Sequence, residues 1–211
     1  MLRFDRIFNS KARAGFFREL RRYCNCRSGL AATEFSLVTT FFLFPVFFGT
    51  LEASQLILSN RRLTTASNSI VDIISQAENV SRDDVDALID STADLLGEDN
   101  LNNISVKVYS IVRDPDDDQV LRVHWARDNH GDESETGQIY TGISDIERVH
   151  TASTVLVVEM EHTHTSGITD KIFQTPFTFT RTSIRWPRQS FEVQLCDDVE
   201  KNTACSESAF S

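Results

Sequence analysis

Leu30-Ala-Ala-Thr-Glu34-Phe35-Ser-Leu-Val-Thr-Thr-Phe41-Phe42-Leu-Phe44-Pro45-Val-Phe47-Phe48-Gly-Thr-Leu51 is the stretch around which the rest of the chain is organised. From Phe35 to Leu51 it holds 17 residues without a charge, and from Leu30 to Leu51 it spans 22. As an α-helix that is about 33 Å, enough to cross a hydrocarbon core of roughly 30 Å. Six phenylalanines and no polar stripe separate it from the core helix of a soluble protein, which shows a one-sided apolar period. A cleaved secretory signal would be shorter and end in a small-residue cut site, which Gly49-Thr-Leu-Glu-Ala-Ser54 supplies poorly. The run reads as a transmembrane helix over residues 30–52.

Charge divides around it. Residues 1–28 carry eight basic side chains against Asp5 and Glu19, a net of +6. From Glu52 onward there are 13 basic and 28 acidic residues, a net of −15. A basic head can serve as a nucleic-acid arm, but this one abuts an apolar run, and the acidic remainder would be repelled by nucleic acid. Cations flanking a membrane helix stay on the cytoplasmic side. The expectation is an N-terminus inside, residues 53–211 in the periplasm, and a bacterial inner-membrane location with the lipid bilayer as a partner.

The cysteines follow the same division. Cys24 and Cys26 lie in the leader, where a reducing cytosol keeps thiols free; zinc is a weak rival, since one intervening residue is short of the usual spacing. Cys196 and Cys205 are the only cysteines beyond the span and face an oxidising compartment, so they are expected to form a disulfide.

Downstream, the helix meets no break signal before about Ala77. Leu56, Leu63, Ile70, Ile74 and Ala77 form one apolar stripe, with Thr64, Thr65, Ser67 and Asn68 elsewhere on the surface. Ser81 is placed to cap a second helix carrying Val85, Leu88, Ile89, Thr92, Leu95 and Leu96, with Gly97 as its stop. Alternating segments then predict strands at Ile104–Val112, Val120–Trp125, Thr154–His162, Phe177–Trp186 and Phe191–Leu195, with a long polar loop over Asp128–Thr141. The fold class is α+β: a long N-terminal membrane-spanning helix, a second helix and an antiparallel β-sheet.

The residues Gly29-Leu30-Ala-Ala-Thr-Glu34-Phe35, set between a basic leader and a membrane helix, resemble the processing site of pilin-like proteins of the tight-adherence (Tad/Flp) system, particularly the TadE-like group. The Thr64–Ser75 helix, the strands at Asn103–Val112 and Val155–Thr165, and Arg185-Trp-Pro-Arg188 extend the resemblance over most of the chain. Trp186 and the cysteine-bearing tail depart from the family pattern and leave the TadE-like and TadF-like groups both open. The resemblance implies cleavage by a prepilin peptidase between Gly29 and Leu30, which makes residues 1–29 a removable leader. It also implies an assembly role for Glu34 and Phe35, with pilin-like subunits and inner-membrane components of the Tad machinery as partners, in adhesion and surface attachment.

Elementary chemistry gives these residues the same sense. Cutting after Gly29 would place a new amine on Leu30, about 6 Å along the axis from Glu34. A carboxylate at the mouth of a membrane helix is costly; Glu34 either sits in the headgroup layer or, in a bundle of such helices, can neutralise the N-terminal amine of a neighbouring subunit. Pro45 removes a backbone hydrogen bond and is expected to kink the helix.

Other motifs point less far. His162-x-His164 places two imidazoles on one strand face, read as exposed histidines rather than a metal pair. Asp114-x-Asp116-x-Asp118 starts like a calcium loop but lacks the glycine and the closing glutamate, and reads as a solvated hairpin turn. No nucleophile elbow, phosphate-binding loop or His-Glu-x-x-His occurs, so the expected role is structural, non-enzymatic and without cofactor. The competing readings are a periplasmic enzyme or ligand-binding domain on an uncleaved signal anchor, and an envelope scaffold of the same topology.

Overall fold

The computed structural model describes residues 29–98, 101–115, 117–164, 176–199 and 205–209. The leader with Cys24 and Cys26, and Asp116 of the aspartate run, lie outside the described residues. The chain forms two compact units that divide between Leu51 and Glu52. The first contains α1 (Leu30–Val38), a π-helical turn (Thr39–Leu43) and the start of α2 (Phe44–Ile74).

The second unit is a mixed helix and sheet domain. The remainder of α2 is followed by β1 (Asn79–Ser81), α3 (Arg82–Leu96), β2 (Ile104–Arg113), β3 (Leu121–Asp128), β4 (Val155–His164), β5 (Phe177–Arg185) and β6 (Gln194–Cys196). Four strands form an antiparallel sheet in the order β3-β2-β4-β5. The short β1 and β6 pair in parallel as a separate ribbon, Val80 opposite Leu195.

The helix boundaries follow from the side chains expected to set them. Ser81 Oγ accepts from the Asp84 backbone N–H at 3.0 Å, and Asp83 and Asp84 occupy the positive first turn. Gly97 closes α3 at φ +78°, a left-handed conformation open to glycine. A side chain there would also meet Arg62 Nη1, 2.9 Å from an added Cβ. The last turn of α2 tightens to i→i+3 bonds at Gln76 and Ala77, close to the expected end.

Two apolar layers cover the sheet. On one face Leu63, Ile70 and Ile74 of α2 and Val85, Ile89 and Leu96 of α3 bury against Val106, Val108, Trp125, Leu156, Val158 and Met160. Each such side chain contributes about 1.5–3 kcal/mol when fully withdrawn from water. On the other face Tyr109, Ile111, Val123, Val155 and Val157 are roofed by Ile143 and Val149 of the long β3–β4 connection.

Several expectations are corrected. Ser67 is fully buried rather than on the surface, because its hydroxyl shares a 2.8 Å hydrogen bond with Ser183 Oγ across the helix–sheet interface. His162 is 2% exposed rather than solvated. Asp114 is buried, with its carboxylate against the Arg122 guanidinium, so only part of that turn faces water. The last strand is Gln194–Cys196, not Phe191–Leu195, and Phe191 is exposed. Leu95, expected on the apolar stripe of α3, is 48% exposed while Ala93 is buried instead.

Candidate membrane and assembly segment

Gly29 precedes α1 at φ −79°, ψ −16°, with no side-chain cap and nothing within 4 Å of where a Cβ would stand. Leu30 is the first helical residue, and Glu34 and Phe35 follow one turn later, both exposed. Between Phe35 and Leu51 the large apolar side chains are exposed at every azimuth of the helix: Phe35 71%, Phe41 68% and Phe42 70%, with Leu37, Val38, Leu43, Phe44, Val46, Phe47 and Phe48 also open. One helix near the N-terminus, within Ala31–Ile74, is thus apolar enough to span a membrane.

Two of its hydroxyls are bonded to the helix backbone. Thr40 Oγ1 donates to Ser36 O at 2.8 Å and Thr50 Oγ1 to Phe47 O at 2.8 Å, so neither hydroxyl needs water. Pro45 is answered by the π-helical turn just before it. The Phe44 N–H reaches back to Thr39 O, and the wider turn makes room where a proline ring would press on the carbonyl four residues earlier.

Cys196 and Cys205 are disulfide-bonded, as the sequence anticipated. The bridge lies at β6 and ties the tail to it, with Ser206 N donating to Leu195 O at 2.8 Å. Gly29, Leu30, Glu34, Phe35 and Pro45 therefore line one helical run, and the two cysteines meet in the domain.

Sequence reasoning missed the polar clusters that hold the domain together. Arg127 grips Asp86 with two nitrogens, at 2.8 and 2.6 Å, and Glu133 at 2.8 Å. Arg82 reaches the same Glu133 at 2.6 Å and Asp197 at 2.5 Å. Hydrogen bonding from Arg82, then from Arg127, holds the Glu133 carboxyl below the usual carboxylate range. Across the sheet Tyr109 donates to Glu135 at 2.8 Å and Tyr140 to Glu159 at 2.5 Å; burial first, then these carboxylates, push both phenols up. At the far end of β4, His162 Nδ1 meets Ser59 Oγ at 3.1 Å and Nε2 meets Glu98 Oε1 at 3.1 Å, joining α2, β4 and the exit of α3. Arg127 and Glu133 apart, six positions from each other, these partners lie 19 to 115 positions apart and leave no local pattern to read.

A surface cleft of about 530 Å³ is lined by Asn102, Asn103, Ser105, Asp128, Glu161 and Thr163 among others and is open to solvent. Among the described residues no group of three or more His, Cys, Asp or Glu side chains is placed to hold a metal ion. No protein-family model, no curated protein and no solved structure matches this chain.

Proposed function

We propose that this chain is a TadE-like minor pseudopilin, an assembly component of a tight-adherence pilus. The observation that carries the reading is the Gly29-Leu30…Glu34-Phe35 motif at the start of a helix whose apolar side chains are exposed all round and which bears a single charge, Glu34, up to Leu51. Such a segment needs lipid for its side chains and a cation for its carboxylate. Cleavage after Gly29 by a prepilin peptidase supplies the cation, because the new Leu30 amine of one subunit can pair with Glu34 of the next in a low-dielectric setting.

Orientation rests on the charge step of +6 before the helix and −15 after it. The Cys196–Cys205 disulfide supports the same assignment, since such bonds persist in an oxidising compartment. In this reading residues 1–29 are cytoplasmic until removed, 30–52 lie in the inner membrane and 53–211 form the periplasmic domain, which meets other pilin-like subunits. The role is structural: Glu34 sets register between subunits and performs no chemistry.

The test is the mature N-terminus in the native host, read by mass spectrometry. A first residue of Leu30 supports the proposal. An intact leader in assembled, piliated cells overturns it and favours an uncleaved anchor. An alkaline phosphatase fused after Asn100 reports orientation independently, active only if that position is exported.

A further inference from the structure

The four-stranded sheet has one finished edge and one bare one. Along the outer side of β3, Val123 N donates to Gln138 O at 2.9 Å, Gly137 N to Val123 O at 2.7 Å and Tyr140 N to Leu121 O at 2.8 Å. Ala126 N reaches Thr136 Oγ1 at 3.3 Å and Asp128 N reaches Asp132 O at 3.2 Å, so the β3–β4 connection closes that side.

At the opposite edge β5 runs nine residues in unbroken register with β4. Thr163 N donates to Asn103 O, which fixes the alternation in β4. Every second residue back from Thr163 bonds toward β2, and His162, Met160, Val158 and Leu156 bond toward β5. Their partners Phe179, Arg181, Ser183 and Arg185 use their backbone groups inside the sheet. Thr178, Thr180, Thr182 and Ile184 aim theirs outward, and the three threonines are exposed. Among the described residues no backbone group pairs with these four on that side, and only Ile184 O is engaged, by Arg185 Nη1 at 2.9 Å. A long edge of this kind is a template for another strand.

Two side-chain features flank it, on opposite faces. Ile184 lines an apolar cavity of about 180 Å³ with Trp186, Val155, Ile143 and Val149. A dry cavity of about 150 Å³ admits a benzene ring. Three positions earlier, and so on the α2 side, stands Arg181. From Glu52 onward acids outnumber bases 28 to 13, yet no carboxylate pairs with this guanidinium among the described residues. Its Nη2 donates to Asn60 Oδ1 at 3.4 Å, and its Nε is buried without a partner among those residues. All of these groups belong to the second unit.

We infer that β5 takes up an extended acidic segment of another protein as a fifth, antiparallel strand, with a large apolar side chain in the cavity beside Ile184 and a carboxylate on Arg181. Residues directly opposite in a ladder share a face, so the apolar residue stands opposite Ile184 and the acid follows three positions later, opposite Arg181. Backbone bonds to Thr178, Thr180 and Thr182 hold any strand; the cavity and the guanidinium choose among strands. The inference is independent of the membrane reading of the N-terminal helix.

The experiment titrates the full chain in detergent with the acetylated, amidated peptide Ser-Leu-Thr-Thr-Glu-Thr-Thr, read by calorimetry. Saturable binding, weakened about tenfold by Leu→Ala or by Glu→Gln in the peptide, is the expected result. N-methylation of the threonine opposite Thr182 should abolish binding. The same change opposite Ser183, where the N–H points away from β5, should leave it intact. Arg181→Gln should weaken the Glu peptide about tenfold and the Gln peptide not at all, a pattern that misfolding would not produce. No binding at millimolar peptide, equal loss from the two N-methyl groups, or tighter binding of the reversed order Glu-x-x-Leu overturns the inference. So does a chain that self-associates without peptide and separates with Thr180→Pro, which deletes an outward N–H and would assign the edge to a second copy.

Discussion

Phe35–Leu51 and Ser59–Ile74 belong to helices that meet in one run, yet they solve opposite problems. In the first, the side chains are apolar on all sides and exposed. In the second, Leu63, Ala66, Ile70, Val71 and Ile74 are buried, and even the polar Ser59 and Ser67 on the buried side are hydrogen-bonded across to the sheet. An α-helix satisfies its own backbone in either case; what differs is who covers the side chains. The second stretch is covered by its own protein, so its substitutions register as domain stability. In the proposed reading the first has its cover outside the protein, so its substitutions should register in insertion and assembly.

The largest effect expected from this contrast is at Leu63. Leu63→Ala empties a fully buried site in the helix–sheet core and should lower unfolding stability by about 2–5 kcal/mol. Phe41→Ala, in the exposed stretch, should leave the domain's unfolding unchanged. Denaturant titration of the full chain in detergent, followed by the fluorescence of buried Trp125, compares them. An equal loss at both positions would mean that the exposed stretch packs on the domain.

The disulfide comes next. Cys196→Ser with Cys205→Ser should cost about 2–3 kcal/mol through the freed loop, with loss of order in the tail at Ser206 first. Peptide mapping without reductant on exported protein checks the pairing itself. Free thiols at both positions there would break the topology assigned to the domain.

How far the sequence carried the fold can be argued from single residues. Ser81 and Gly97 marked the two ends of α3 because capping chemistry is local: one hydroxyl three residues from its N–H, one glycine at φ +78°. The four long strands showed because alternation is local as well. The β1–β6 ribbon was hidden, since three residues make no period and parallel partners lie more than a hundred positions apart. Ser67 and His162 were read as surface because a polar residue suggests water until its partner is known, and Ser183 and Ser59 are 116 and 103 positions away. Of the candidate segment, the exposed apolar run and the cysteine pair were legible; the π-helical answer to Pro45 was not, because a proline specifies the problem and leaves the remedy open.

A smaller effect lies at the α3 cap. Ser81→Ala removes the acceptor for Asp84 N–H and should cost about 1 kcal/mol, read by the same titration. Ser81→Asp should restore most of it. Failure of that rescue would assign the loss to the β1–β6 pairing, in which Ser81 stands opposite Cys196.

Acid tests the ionic knot on the domain's surface. The folded Glu133 carboxyl is depressed below its ordinary 4.5, first by the Arg82 hydrogen bond. A depressed carboxyl contributes stability that is present above the unfolded value and is lost as pH falls through the folded one. Stability should therefore decline below about pH 4.5, and Glu133→Gln should flatten that part of the curve while lowering stability near neutrality. An unaltered acid limb in the variant would show that Arg82 and Arg127 need only Asp197 and Asp86.

The smallest expected effect on stability is none at all, and it isolates the proposed assembly segment most sharply. A Cβ at Gly29 meets nothing within 4 Å, and Glu34 is exposed, so Gly29→Val and Glu34→Ala should both unfold like the parent chain. Their consequences belong outside the protein. Glycine at the cut leaves the backbone open to a peptidase, so Gly29→Val should keep residues 1–29 attached while the helix still inserts. Glu34→Ala removes a costly charge from the membrane boundary, so insertion should survive or improve. If Glu34 pairs with a neighbour's Leu30 amine, that same variant should nonetheless lose piliation, because an amine set in lipid then lacks its counter-charge. Cleavage should depend more on Gly29 than on Glu34. Electrophoretic mobility, membrane level and pilus count in the native host separate the two variants. Normal piliation in both would leave the segment as an anchor alone.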